Sequence, residues 1–222
     1  MAAVDGLCTL ANVKLLLGIT SDTTKDTLLE MLITKASAAI CAATGRVLKR
    51  ATYTAEPYAV NGQPYLYLRE WPIQALTSVT LGGALLTVES DYFMSAADAA
   101  VGRIYKPDGW NGAMLYRGLI PDAYDGDREI LVTYEAGYYL PDDVTTSPAT
   151  PHYVAGSADS LPADLEAIAE AAVCIRYGAV QKGADGLTSI KEGQVSYTFA
   201  EGGSLLNADL RKALARYARI AA

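Results

Sequence analysis

With 222 residues, 51% of them hydrophobic, the chain can bury the core of one or two domains, which excludes a largely disordered protein. Its 18 Lys and Arg against 25 Asp and Glu give a formal charge of -7, which argues against the molecule as a whole gripping a phosphate backbone non-specifically. Cys8, Cys41 and Cys174 are far apart and lack metal-ligand spacing, no apolar run approaches the roughly 20 residues that span a bilayer, and the opening MAAVDGLCTLANVK lacks a secretory leader's pattern, so the expected setting is a reducing cytoplasm without a membrane.

In chain order, residues 10 to 17 predict a short helix that Thr9 caps and Gly18 ends, with Val13, Leu16 and Leu17 on the buried side. A second helix over 26 to 43 places Leu29, Leu32, Ala36, Ile40 and Ala43 along one face, and Gly45 suits the left-handed residue after a helix C-terminus. The polar turn between them makes a helical hairpin with one apolar seam.

Between 47 and 140 Tyr, Thr and Val become frequent and the apolar spacing falls to two, which predicts an inserted antiparallel β subdomain. Its strands are expected at 65–68, 76–81, 102–105 and 129–134, with Gly82-Gly83 as a tight hairpin and 106–127 as a long loop. Residues 141–159, with three prolines among Ser, Thr and Asp, read as a linker or arm.

The organising element follows. Pro162 suits a first helical turn, Asp164 and Glu166 sit at the positive end of the helix dipole, and the helix predicted over 162–181 lines up Leu165, Ile168, Ala172, Ile175 and Ala179. Alanines at 167, 169, 171 and 172 allow a neighbouring backbone to come close. A glycine-bearing loop then leads to a strand in which Val195, Tyr197 and Phe199 alternate with polar residues. A last helix over 206–220 carries Leu206, Leu210, Leu214, Tyr217 and Ile220 on one side and Arg211, Lys212, Arg216 and Arg219 on the other. The fold class is therefore α+β: a mainly α-helical bundle from 1–46 and 160–222, with the β subdomain inserted over 47–140.

Chemistry finds little support. The one histidine, His152, lies in the Pro-rich stretch without a rigid group to orient it, and no nucleophile elbow, phosphate-cradling loop or dinucleotide fingerprint occurs. Asp122, Asp125, Asp127 and Glu129 crowd together but miss the spacing of a calcium loop. Most of the fifteen tyrosines fall in predicted strands, where half-buried packing accounts for them. No catalytic residue, cofactor or metal is expected. The basic last helix reads either as a solvated face complementing a helix end or as a binding surface.

The order of motifs carries a resemblance. T-L-x-x-V-K-x-x-L-G-I at 9–19, A-x-T-G-R at 42–46, I-x-V-T-Y-x-A-G-Y at 130–138, an L-P-x-D-L opening at 161–165 and G-x-x-S-Y at 193–197 make the chain similar to the head-tail connector, or adaptor, proteins of tailed bacteriophages. That resemblance implies a non-enzymatic virion protein at the head-tail junction, made in the host cytoplasm. It implies self-assembly into a ring of roughly a dozen copies beneath the portal protein, from subunits that can be monomeric beforehand. The ring would extend the channel through which DNA passes without sequence-specific binding, and would dock a tail or stopper protein. Partner contacts are expected at Gly193, Val195, Tyr197 and Phe199 and at Arg211, Arg216 and Arg219. The alternative is a ligand-binding module, with the Tyr-rich β insert recognising carbohydrate or protein.

Overall fold

A computed structural model describes residues 5–111, 129–143, 157, 159–181, 189–192, 195–198 and 205–219. Asp122, Asp125, Asp127, His152, Gly193 and Phe199 lie outside the described residues. In chain order the elements are α1 (Leu10–Leu17), α2 (Asp26–Thr44), β1 (Ala51–Ala59), β2 (Tyr65–Tyr67), β3 (Ile73–Leu81), β4 (Ala84–Leu85) and α3 (Ala96–Ala100). They continue with β5 (Arg103–Tyr105), β6 (Glu129–Ala136), α4 (Ala163–Gln181), β7 (Ser189–Glu192), β8 (Val195–Thr198) and α5 (Ala208–Leu214), which runs into a 3-10 turn at Ala215–Tyr217. The mixture is α+β, and the chain divides into two compact units, Met1–Arg46 with Tyr139–Ala221, and Val47–Tyr138. The helical character belongs to the first unit, not to the chain as a whole.

In the first unit α1, α2, α4 and α5 pack together. Thr9 Oγ1 accepts the Asn12 amide at 3.1 Å, and Gly18, at φ 70°, closes α1 by donating to Leu15 and Lys14 carbonyls. Gly45 ends α2 the same way at φ 66°. The core seam sets Leu29, Ile33, Ala36 and Ile40 of α2 among Leu165, Ala169, Ala172 and Val173 of α4, all buried. The alanines set the close approach of the two helices. α2 is long and apolar enough to cross a bilayer by length and composition, but its buried face is the one a core helix needs.

Three expected seam positions differ. Ala43 is exposed and Thr44 is buried instead, because a 3.6-residue turn counted from Ile40 lands nearer 44, and the Thr44 hydroxyl is satisfied by the Ile40 carbonyl at 3.0 Å. Ile175 is 48% exposed, since no residue of α4 beyond Val173 is buried and the last two turns leave the core. Leu16 is 61% exposed, and the inner face of α1 is made by Val13 and Lys14. The Lys14 stem is buried while its ammonium reaches Asp26 Oδ1 at 2.7 Å, so a paired lysine takes the place expected for a leucine. α5 is also shorter than 206–220: Asn207 caps its start by accepting the Leu210 amide at 2.9 Å, and the chain turns extended at Ala218. Residues at both ends of the expected linker run side by side, with the Tyr139 amide on the Asp159 carbonyl at 2.8 Å and the Leu161 amide on the Tyr139 carbonyl at 3.0 Å.

In the second unit a four-stranded antiparallel sheet has the order β1-β6-β3-β4, and β2 pairs with β5 in a smaller one. β6 lies between two partners, and its alternate residues Ile130, Val132, Tyr134 and Ala136 are all buried. Alternation of this kind is what a strand with one face on a core requires. Leu66, Ile104 and Trp110 complete that core from the smaller sheet and the loop after it.

Gly137, just after β6, has φ 101°, and a Cβ there would lie 2.7 Å from the Lys49 carbonyl oxygen. Gly137→Ala is therefore expected to destabilise this unit by about 2–3 kcal/mol, because strain in a left-handed conformation adds to a backbone clash. Chemical denaturation of the variant against the parent chain measures it; an unchanged midpoint would contradict the close approach.

Candidate interaction surface

The basic residues expected to meet a partner end the first unit. Leu206 and Leu214 anchor α5 in the core, which leaves Arg211, Lys212, Arg216 and Arg219 on its exposed side. The four are not equivalent. Arg216 makes an ion pair with Asp164, in the first turn of α4, and its guanidinium lies 5.0 Å from the centre of the Tyr217 ring. The Tyr217 hydroxyl donates to the same carboxylate at 2.7 and 2.8 Å from its two oxygens. Buried Arg46 donates to the Tyr217 carbonyl at 3.3 Å, and the Arg219 amide donates to the Thr44 carbonyl at 2.8 Å. The end of the chain is thus clipped to the C-terminus of α2 and the N-terminus of α4. Arg211 bends back to its own helix start, Nε donating to the Leu206 carbonyl at 3.2 Å.

Asp164 was legible in the sequence as a carboxylate suited to a helix N-terminus, but its pairing with Tyr217, 53 positions on, and with the neighbouring Arg216 leaves no local signal.

Val195 and Tyr197 fall on β8, which pairs antiparallel with β7 in the register Glu192↔Val195, Lys191↔Ser196 and Ile190↔Tyr197. Sequence reasoning placed a loop where β7 stands. The run Ser189-Ile190-Lys191-Glu192 before a Gly-containing turn is the pattern that points to the first arm of a hairpin. Gly193 and Phe199 lie outside the described residues.

Sequence reasoning also missed an apolar face on α1. Leu15 and Leu16 point to solvent, and a cleft of about 400 Å³ beside the same helix is lined by Leu10, Ala11, Lys14 and Thr20. A leucine-rich helix of eight residues gives too few turns for its spacing alone to show which face is inside.

The electrostatics of the helical unit do not favour nucleophilic chemistry. Burial pushes the Cys8 thiol up to about 12, with Glu170 and Glu166 adding to the effect, and burial followed by Glu170 raises Cys174. Both thiols stay protonated near neutrality, which removes the thiolate that reacts. Burial, then Asp143 and Glu166, raises the Asp142 carboxyl, and Glu170 is raised by burial although Asn12 lowers it by hydrogen bonding. Asn12 Nδ2 also donates to Glu166 Oε1 at 3.0 Å. An acidic surface on α4 and a basic one on α5 therefore belong to one unit.

Comparison with known families bears on what such a unit does. Residues 8–80 match the phage gp6-like head-tail connector proteins. That match supports a phage head-tail connector family. It takes in about a third of the chain: α1, α2, β1, β2 and nearly all of β3. The match thus continues past the helical hairpin into the sheet unit, and Glu56, Tyr58 and Arg69 lie within the matched residues. No curated protein matches the chain.

Proposed function

We propose that this chain is a structural head-tail connector of a tailed phage or prophage, which assembles as a ring beneath the portal protein, extends the DNA channel and docks a tail or stopper protein. The observation that carries this reading is the connector-family match running without a break from α1 to β3. A connector of this kind does no chemistry. Its work is done by interfaces, and its place is the head-tail junction of the virion, reached from the host cytoplasm during assembly. A net charge of -7 suits a channel along which DNA slides without being gripped.

Free subunits are monomeric in this reading and associate on the portal. Two surfaces carry the contacts: the hairpin segment with Gly193, Val195, Tyr197 and Phe199, and the basic end with Arg211, Arg216 and Arg219. All three arginines are exposed; Arg216 pairs with Asp164 and shapes the basic end, and together they meet acidic surfaces of the portal or a neighbouring copy. Exposed charges are screened over about 10 Å at 0.1 M salt, so their contribution falls as salt rises.

Two variants test the two surfaces separately: deletion of residues 186–199, and reversal of Arg211, Arg216 and Arg219 to Glu. Each is expected to reduce portal-dependent rings in electron micrographs, with the charge reversal recovering none of them at low salt. Normal rings from both would sink the assignment of these surfaces.

A further inference from the structure

Among the described residues, the edge of β2 is one in the sheet unit with neither a bulge nor a proline in it. β1, at one side of the larger sheet, is interrupted by a bulge at Ala55 (φ 49°), contains Pro57, and has its Pro57 carbonyl capped by Arg69 at 3.0 Å. β4 is two residues long. Bulges, prolines and shortness are the devices that keep an edge from recruiting another chain. β2 is also short, but it has no bulge, no proline and no charged residue in its span of Tyr65, Leu66 and Tyr67.

Among the described residues nothing pairs with its outer edge. The Lys106 amide donates to the Pro64 carbonyl at 2.8 Å, the Leu68 amide to the Gly102 carbonyl at 2.7 Å, and Leu66 faces Ile104, so these residues use up the side toward β5. Tyr105 turns its own amide and carbonyl to Phe93 on the far side. By the alternation of an antiparallel ladder, the N–H and C=O groups of Tyr65 and Tyr67 aim away from β5, and among the described residues they have no partner.

Beside that edge stands an exposed aromatic row. Tyr65 is 37%, Tyr67 48% and Phe93 40% exposed. Tyr65 and Tyr105 lie 5.2 Å apart, Phe93 and Tyr105 6.4 Å, and Arg103 sits 4.7 Å over Tyr65. The rings are tilted by 39° in both pairs and the Arg103 guanidinium lies over one face of Tyr65, so the row suits a neighbouring strand's side chains better than a sugar ring needing an open face. Arg103 Nε is bonded to Asp98 at 2.7 Å, so the row presents no net charge.

We propose that the open edge of β2 receives β8 of a neighbouring copy as an added strand. β8, Val195-Ser196-Tyr197-Thr198, is neutral, alternates apolar with polar, and at four residues is long enough to pair with all three of β2, whereas β7 carries Lys191 and Glu192. The β7–β8 pair is a two-stranded sheet, which by itself is marginally stable in water and gains from a third strand. Donor and acceptor are different surfaces of the chain, so the contact is head-to-tail, the kind that closes rings. The inference rests on the connector reading and supplies the acceptor that reading lacks.

The test places a photo-crosslinking amino acid at position 67 of the full chain and mixes isotopically light and heavy copies with portal. The expected product joins position 67 of one copy to 195–198 of another, and Tyr67→Lys lowers the yield of rings about tenfold without moving the thermal midpoint of the free subunit. Rings that form with cross-links to portal, to a glycan, within one copy or to another segment would overturn the β2 acceptor and leave the connector reading standing. If the parent chain forms no rings with portal, both fall together.

Discussion

Ile168→Asp is expected to cost about 3–5 kcal/mol, because a carboxylate left unpaired in a packed interior must stay desolvated, take up a proton or force its neighbours apart. Ile168 is buried on α4 one turn from Leu165 and Ala172, both fully covered, and α2 is the helix that covers them. Ile175→Asp is the control. It makes the same chemical change two turns later, where α4 has left the core, and is expected to alter stability by no more than about 0.5 kcal/mol. Urea denaturation of both variants separates the positions; equal losses would contradict the placement of the seam.

Acid should weaken the sheet unit through Glu56. Burial alone would raise this carboxyl, but it accepts the Tyr134 hydroxyl at 2.6 Å, the Tyr58 hydroxyl at 2.5 Å and Arg69 NH1 at 2.9 Å, and together these hold it below the usual 4.5. A carboxyl held lower in the folded than in the unfolded chain adds stability that is complete above 4.5 and is lost as pH falls through its folded value. The phenols are held in the donating form, since burial and Glu56 push Tyr58 and Tyr134 well above their ordinary range. Glu56→Gln removes the strongest acceptor from two buried hydroxyls and is expected to cost about 1–3 kcal/mol at neutral pH, with a flatter fall in the thermal midpoint on acidification than in the parent. Asp98 and Glu135 are also held low, by Ser95 and Arg103 and by Arg50 respectively, so the parent's acid response contains them too and the difference between the two chains isolates Glu56. Parallel curves for parent and variant would contradict the network.

Helix ends were legible because they are local chemistry: Thr9, Gly18 and Gly45 stop and start chains by their own side chains or lack of them. β6 was legible because burying one face of a strand forces alternation on its sequence. β1 was not, because Ala55 and Pro57 interrupt its pattern and much of it is only half-buried. α3 is five residues long, and its one signal is the capping box of Ser95 and Asp98, whose side chain accepts the Ser95 amide at 3.1 Å. The candidate surface divides the same way. Its basic residues stand out as composition, but the pairing of Arg216 depends on a distant Asp164, and the edge of β2 depends on strands that are distant in sequence.

The most direct measurement is electron microscopy of the purified full-length chain with and without assembled portal. The account requires subunits that stay small alone and, on mixing, added density forming a ring coaxial with the portal. A chain that stays unassociated, or that binds portal as single copies without closing a ring, would contradict the connector function at its root.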